Sequence, residues 1–364
     1  MTGQPFALGL MSGTSADGVS LALVDARPRV LEHATYAYSP ALRRRVLGAA
    51  ALAAAELSAL DFDLGRLFAR AAVRFLRRRR VSPRRLAAVG SHGQTVVHRP
   101  ARPRPSTLQI GEPSFLAEAL GAPVVADFRP RDIAAGGEGA PLVAFFDEVL
   151  FGGGPPVILQ NIGGIGNASF VGRGVRTIAF DTGPGNVLMD LAVRRLTKGA
   201  LPYDRGGRIA AGGRADEARA ARLLRAPFFR RRPPKSLDRS AFAEDYLRRH
   251  FPPGWGRGAD TVATLTYFTA LSIADACRRH LPFRRARRLV LSGGGALNAA
   301  LVGQLRRLLA PLPVQTSADF GVPVLAKEPA AIALMALYAV RGKTNHCPEA
   351  TGAARPRILG KITF

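Results

Sequence analysis

Four times in this chain a short apolar run stops at a turn built from glycine and small polar residues. Phe6–Met11 runs into Ser12-Gly13-Thr14-Ser15-Ala16-Asp17-Gly18. Val157–Leu159 runs into Gln160-Asn161-Ile162-Gly163-Gly164-Ile165-Gly166-Asn167. Thr177–Phe180 runs into Asp181-Thr182-Gly183-Pro184-Gly185-Asn186, and Leu289–Leu291 into Ser292-Gly293-Gly294-Gly295. Glycine at a strand exit lets backbone N–H groups approach a ligand closely. Open α/β sheets place their ligands at such exits. Strands alternate with helical stretches along the chain, so the pattern predicts an α/β chain with turns suited to phosphate. No GxxxxGK[ST] pattern occurs, which disfavours a P-loop nucleotide site.

The rest of the chain fills in around these turns. Val19–Val24 reads as a strand that closes a hairpin with Phe6–Met11. Residues 41–80 are rich in Ala, Leu and Arg at helical spacing, and Pro83 follows the end. Leu86–Gly90 reads as a strand leading into Ser91-His92-Gly93-Gln94-Thr95, and 108–127 as strand–helix–strand. Thr261–His280 reads as a long amphipathic helix, Leu297–Leu309 and Ala330–Val340 as helices. A Gly-rich stretch, Gly136–Gly139, places a domain junction near residue 130. The expected units are 1–130, completed by a returning segment 345–364, and 131–344. The turns near residues 12 and 181 read as one phosphate-handling device used once per domain.

At 364 residues, about two domains with real cores are expected. No apolar run reaches the ~18–20 residues of a membrane span. No basic segment followed by a long apolar stretch opens the chain, and Cys277 and Cys347 lack zinc or CxxC spacing. Those features point to a reduced, cytoplasmic protein with no membrane partner. The net charge is +26, and five of the 52 basic residues are Lys. Arginine clusters at 77–80, 230–232 and 284–288 suit a polyanion, but no aromatic residues interleave them, so solvated helix faces are the preferred reading and no specific nucleic acid is expected.

Several residue types carry chemistry. Asp17 suits Mg²⁺ held through water, because Mg²⁺ keeps much of its hydration shell; an ordinary polar hairpin turn is the alternative. Asp181, at a strand exit before a rigid Gly-Pro-Gly turn, suits a general base; an Asx-turn cap before a helix is the alternative. Asn161, Gly163, Gly164, Gly293, Gly294 and Gly295 are candidates for nucleotide contacts, the last three beside a helix start. His92, Gln94 and His98 lack a third metal ligand, so polar recognition of a sugar or carboxylate is preferred. Arg129, Arg131 and Asp132 either clamp an anionic substrate group or form a solvated cluster. Glu328 precedes Pro329 at a helix start.

Taken together, Phe6–Gly18, Ser91–Thr95, Leu108–Gly111, Asp127–Arg129 with Arg131–Ala134, Gly139–Leu142, Asn161–Ile165, Asp181–Asn186 and Pro234-Lys235-Ser236 resemble the anhydro-N-acetylmuramic acid kinase family in order and spacing, over nearly the whole chain. The resemblance implies a two-lobed, actin-like ATPase (ribonuclease H-like) fold with ATP in an interdomain cleft. It implies conversion of 1,6-anhydro-N-acetylmuramic acid, ATP and water to N-acetylmuramic acid 6-phosphate and ADP, in peptidoglycan recycling. Under it, Gly13, Thr14, Ser15, Ala16, Asp17, Gly18, Val19 and Ser20 form the ATP phosphate segment. Asp181 activates the water that opens the anhydro bridge, and His92, Gln94, Thr95, Arg129 and Glu328 line the sugar side. ATP and Mg²⁺ are the implied cofactors, and a homodimer is compatible with it. Three departures from the family pattern occur. Ser20 stands where Asp is usual, Glu138 replaces a usual Gln, and Leu325 and Pro329 interrupt the pattern around Glu328. A kinase for a different sugar and a non-catalytic, ATP-gated scaffold are the alternatives, since ATP apparatus does not name the acceptor.

Overall fold

The computed structural model describes residues 6–13, 15–100, 103–233, 235–237 and 239–364. It divides into two compact units, Met1–Leu150 with Gly321–Phe364, and Phe151–Phe320. This differs from the junction expected near 130. The helix Ala144–Phe151 and the helix Lys327–Val340 both belong with the first unit, apart from Phe151 itself.

The sheet of the first unit is built on β1 (Phe6–Ser12), β2 (Gly18–Val24) and β3 (Val30–Ala37), which form an antiparallel meander. β4 (Leu86–Arg99) lies parallel to β1 on its other side, and β5 (Ser106–Ile110) pairs with the far half of β4. β6 (Val124–Ala126) runs parallel to β4. In the second unit, β7 (Val157–Ile162), β8 (Ile165–Val171) and β9 (Ile178–Pro184) form another antiparallel meander. β10 (Leu289–Ser292) is parallel to β7, and β11 (Val314–Thr316) is parallel to β10. β12 (Lys361–Thr363) returns to the first unit, antiparallel to β6. Both sheets therefore place a meander's first strand next to two parallel strands. That is the ribonuclease H-like arrangement of actin-type folds, present once in each unit.

β1 and β2 are buried along nearly their whole length, which explains their near-continuous apolar sequence. One covering helix, Ala54–Arg78, buries Leu60, Leu64, Phe68, Ala72 and Phe75, spaced by three or four residues. Each of the larger side chains among them contributes about 1.5–3 kcal/mol by leaving water. Glu56 in its first turn and Arg77 and Arg78 in its last complement the helix dipole. The other covering helix, Lys327–Val340, approaches the sheet at two glycines. A Cβ on Gly9 would fall 1.9 Å from the Pro329 carbonyl oxygen, and one on Gly90 2.4 Å from that of Ile332. Those contacts tie Glu328 to the first unit.

The stretch Thr261–His280, which reads as an amphipathic helix, lies in the longer helix Gly258–His280. Every residue from Thr261 to Ala270 is buried, so it is covered on nearly all sides. Its threonines solve the polar problem this creates. Thr264 and Thr266 donate to carbonyls one turn back, at 2.7 and 2.8 Å. Thr269 donates to the Gly185 carbonyl at 3.0 Å, fastening the helix to the turn after β9.

Candidate active site

The hairpin between β1 and β2 is held from three sides. The Ala16 amide donates to the Gly13 carbonyl at 3.0 Å, and Ala16 takes φ +51°. The Arg43 guanidinium donates to the Ser15 carbonyl and pairs with Asp17, each at 3.2 Å. Underneath, the Tyr38 hydroxyl donates to Ser12 Oγ at 2.8 Å, and burial pushes that phenol up to about 12. Gln94 meets Ser12 Oγ through its amide oxygen and donates to the Gly13 and Thr95 carbonyls. Gln94, a candidate for the sugar side, thus has both ends of its amide engaged by the hairpin and its own strand. Thr14 lies outside the described residues.

Within the segment 13–20 the residues differ in what they offer. A Cβ on Gly13 would meet nothing nearer than Ser15 Oγ at 3.9 Å, so space lies open beside it. A Cβ on Gly18 would strike the Tyr36 carbonyl oxygen at 2.2 Å, and Val19 is fully buried. Those two shape the hairpin from within. Ser20 Oγ meets Thr35 Oγ1 at 2.9 Å across the β2–β3 pair.

Asp17 is largely exposed. Among the described residues no three His, Cys, Asp or Glu side chains form a metal cluster. A single carboxylate of this kind fits a hydrated Mg²⁺ bound mainly through phosphate oxygens, not a protein cage.

In the second unit three turns meet, two of them close in sequence and the third, at Ser292–Gly295, more than a hundred residues further on. The Asn186 amide donates to the Gly163 carbonyl at 2.7 Å, the Gly185 amide to Gly164 at 2.9 Å, and Asn186 Nδ2 to Ile162 at 3.1 Å. Ser292 Oγ donates to Asn161 Oδ1 at 3.2 Å. Gly293 has φ +82°, and a Cβ there would fall 2.7 Å from both Asn161 Oδ1 and the Ile162 carbonyl oxygen. A Cβ on Gly295 would fall 2.3 Å from the Ile162 side chain. Gly163 and Gly294 are the open members, with nearest neighbours at 3.6 and 3.5 Å. An uncrowded glycine patch remains, flanked by the Asn298-capped helix Ala299–Leu309. Missing side chains of this kind make room for phosphate or sugar oxygens against backbone amides.

The reading of one device per domain at residues 12 and 181 needs correction. The turn in the second unit that matches the β1–β2 hairpin tip is Gly163-Gly164, between β7 and β8. Asp181 is not at a strand end. It sits within β9, the third strand of the meander, opposite Asn167 and beside a register shift. Such an irregularity re-aims side chains without ending the strand.

Asp181 is gripped by the segment after Pro233. Its amide donates to the Lys235 carbonyl at 3.0 Å, and its Oδ2 accepts from the Leu237 amide at 2.7 Å. Lys235 is buried against Phe180 and Phe228, and burial lowers its ammonium to about 8, with Asp275 and Asp181 opposing the shift. In the sequence Lys235 stands out only as part of the motif Pro234-Lys235-Ser236. Lysine beside small and Pro residues was its one signal, and nothing in the sequence placed it next to Asp181.

Of the residues that the family resemblance puts on the sugar side, His92 and Arg129 are brought together. Arg129 Nε and Nη2 lie 3.1 and 2.8 Å from His92 Nε2, and Arg129 Nη1 donates to the Gly139 carbonyl at 2.7 Å. Nε2 is the acceptor, so the ring proton is on Nδ1, 3.2 Å from the Gly93 carbonyl. Burial pushes the imidazole down to about 3, and Arg129 adds to the shift. Thr95 Oγ1 lies 3.4 Å from Gln109 Nε2 on β5. Glu328 is half-buried in the first turn of Lys327–Val340. His92, Gln94, Thr95, Arg129 and Glu328 thus all fall in the first unit, while Asp181 lies in the second.

Among the described residues no helix is long and apolar enough to cross a membrane. A family model described as anhydro-N-acetylmuramic acid kinase matches residues 5–364. The anhydro-N-acetylmuramic acid kinase of Caldanaerobacter subterraneus subsp. tengcongensis is 37% identical over 381 residues, covering 98% of this chain and 96% of its own. That of Streptomyces coelicolor is 41% identical over 370 residues, covering 98% and 93%. Among solved structures, component A of the (R)-2-hydroxyglutaryl-CoA dehydratase of Acidaminococcus fermentans aligns with a TM-score of 0.46 at 14% identity, covering 93% of this chain and 98% of its own. On this match of motifs along its full length, the chain belongs to the anhydro-N-acetylmuramic acid kinase family.

Proposed function

We propose that the chain is an ATP-dependent kinase that opens 1,6-anhydro-N-acetylmuramic acid with water and phosphorylates the released O6. Asp181 takes a proton from water as the water oxygen bonds to C1. The C1–O6 bond breaks, and O6 attacks the γ-phosphorus of ATP, releasing ADP. One carboxylate fixed by the Leu237 amide is suited to this, since a base must be held still against the atom it serves. The amides around Gly13, Gly163 and Gly294 hold phosphate and nucleotide oxygens where the absent Cβ atoms leave space. Bound Mg²⁺ would offset negative charge on the transferring phosphoryl group, with Asp17 holding its water shell.

Arg129 orients the sugar side together with His92, and Thr95, Gln94 and Glu328 border the same region. His92 acts there as a neutral group, because burial and Arg129 keep it unprotonated. The observation that carries this reading is the anchored carboxylate of Asp181 in a unit whose three glycine turns converge. A kinase acting on another sugar would use the same turns. Incubation with ATP, Mg²⁺ and a panel of anhydro- and ordinary sugars, read by product mass, separates the two. Phosphorylation of the anhydro-sugar with gain of one water is expected. Phosphorylation of an ordinary hexose in its place would overturn the acceptor assignment.

A further inference from the structure

Asp132 lies one helical turn from Arg129 and is completely buried. Its carboxylate accepts three hydrogen bonds. Oδ1 takes one from His346 Nδ1 at 2.8 Å and one from Thr351 Oγ1 at 2.7 Å, and Oδ2 takes one from the Gly139 amide at 2.7 Å. Two of these donors come from a segment more than two hundred residues away in sequence. That segment is itself fastened. His346 Nε2 accepts from the Arg357 amide at 2.7 Å, and Asn345 bonds the Met335 and Leu359 carbonyls at 2.9 and 3.0 Å.

The loop Gly136–Gly139 is moulded around the same carboxylate. A Cβ on Gly137 would fall 2.2 Å from Asp132 Oδ2, so only glycine leaves room for the acid. The Gly137 amide donates to the Asp132 carbonyl at 2.9 Å. The Glu138 amide donates to the Thr351 carbonyl at 2.7 Å, and the Ala354 amide to that of Ala135 at 2.9 Å. The loop ends at Gly139, whose carbonyl receives Arg129 Nη1 while the rest of that guanidinium rests on His92. An unbroken chain of hydrogen bonds therefore runs from Thr351 and His346 through Asp132 and Gly139 to Arg129 and His92. A guanidinium has a rigid, planar donor set, so a shift of the Gly139 carbonyl turns every other donor with it.

We infer that Thr351 and His346 are positioning residues for sugar binding, acting through Asp132 to fix the orientation of Arg129. Neither reaches the sugar. The inference rests on the reading that Arg129 and His92 line the sugar side, and it adds that the returning C-terminal segment sets affinity for the acceptor but not for ATP. Removing one donor from a buried carboxylate leaves a lone pair unmet, and the loop that shares the carboxylate shifts to compensate.

The test is steady-state kinetics on the full chain, with both substrates varied. Thr351→Val is expected to raise the KM for the anhydro-sugar about tenfold and to leave the KM for ATP within about twofold. Thr351→Ser, which keeps the hydroxyl, should restore the wild-type value. His346→Asn keeps a donor for Asp132 but does not reach the Arg357 amide, and it should raise the same KM by a smaller factor. It also serves if Thr351→Val does not fold. Equal changes in both KM values, or no rescue by serine, would overturn the positioning role. Arg129→Ala is the control for the underlying reading. If it leaves the sugar KM unchanged, that reading fails. If it raises the sugar KM while Thr351→Val and His346→Asn do not, only the positioning role fails.

Discussion

The two units share a strand order, and they differ in what their meanders carry. In the first, the hairpin tip between β1 and β2 is braced by Arg43, Ser12, Gln94 and Tyr38. In the second, the matching tip between β7 and β8 is braced almost wholly by backbone, from Gly185 and Asn186. The first unit also holds the pair of half-buried Arg129 and buried His92, whereas the second holds Asp181 on the third strand of its meander. Equivalent topology has therefore been equipped in two ways. One tip is positioned by side chains around an open Gly13. The other is positioned by the packing of glycine turns on one another, and a methyl added at Gly185, Gly293 or Gly295 has nowhere to go. Substitutions at the open Gly13 and at the crowded Gly293 should consequently have opposite signatures, and loss of the base should resemble neither.

Asp181→Asn should give the largest change. Turnover is expected to fall by about 10²–10⁴-fold, the usual contribution of a positioned base, with ATP affinity within about twofold. Product formed at near wild-type rate would remove Asp181 from the chemistry. Next, Gly13→Val should weaken ATP binding about tenfold while leaving the melting temperature within about 2 °C, because space beside Gly13 is open. Gly293→Ala should show the reverse order of effects. Its positive φ and its contact with Asn161 and Ile162 predict a loss of about 1–3 kcal/mol in denaturant unfolding. If Gly13→Val were the destabilising one, the contrast between the units would be wrong.

A pH experiment sharpens the first unit's side of the comparison. His92 is unprotonated when folded down to about 3, against 6.5 in the unfolded chain, so the unfolded state binds more protons between those values. Stability is then fully present above about 6.5 and falls with acidification at up to about 1.4 kcal/mol per pH unit from this group. His92→Gln keeps an acceptor for Arg129 and should flatten that acid limb. An unchanged limb would mean the ring is protonated in place. The smallest effect belongs to Arg43→Ala. The Arg43–Asp17 pair is largely exposed, so about 0–1 kcal/mol of stability is at stake, with a rise of a few-fold in the KM for ATP.

Much of this architecture was legible in the sequence. The apolar runs before each glycine turn are strands, and the motif order identified the family. Four things were not legible, each for a physical reason. β3 carries no clear signal because none of its residues is buried and Glu32, His33 and Thr35 break up its apolar residues, so no apolar alternation marks it. Asp181 was placed at a strand exit because the Gly-Pro-Gly sequence looks like a turn. A register shift carries β9 on through Gly183 and Pro184 instead. Helix Lys327–Val340 falls inside the expected unit 131–344, yet it belongs to the first unit. What decides its place is the pair Gly9 and Gly90, where absent side chains on β1 and β4 let the helix backbone approach. Long-range partners such as Asp132 with His346 and Thr351 leave no local signal at all.

The central claim is that Asp181 directs water to C1 while O6 takes the phosphoryl group. Reaction in ¹⁸O-labelled water, trapped at once by borohydride reduction so that C1 cannot exchange, reads this directly by mass spectrometry. The account predicts one labelled oxygen on C1 of the phosphorylated sugar and none on its phosphate. Unlabelled C1, or label on phosphate, would contradict it.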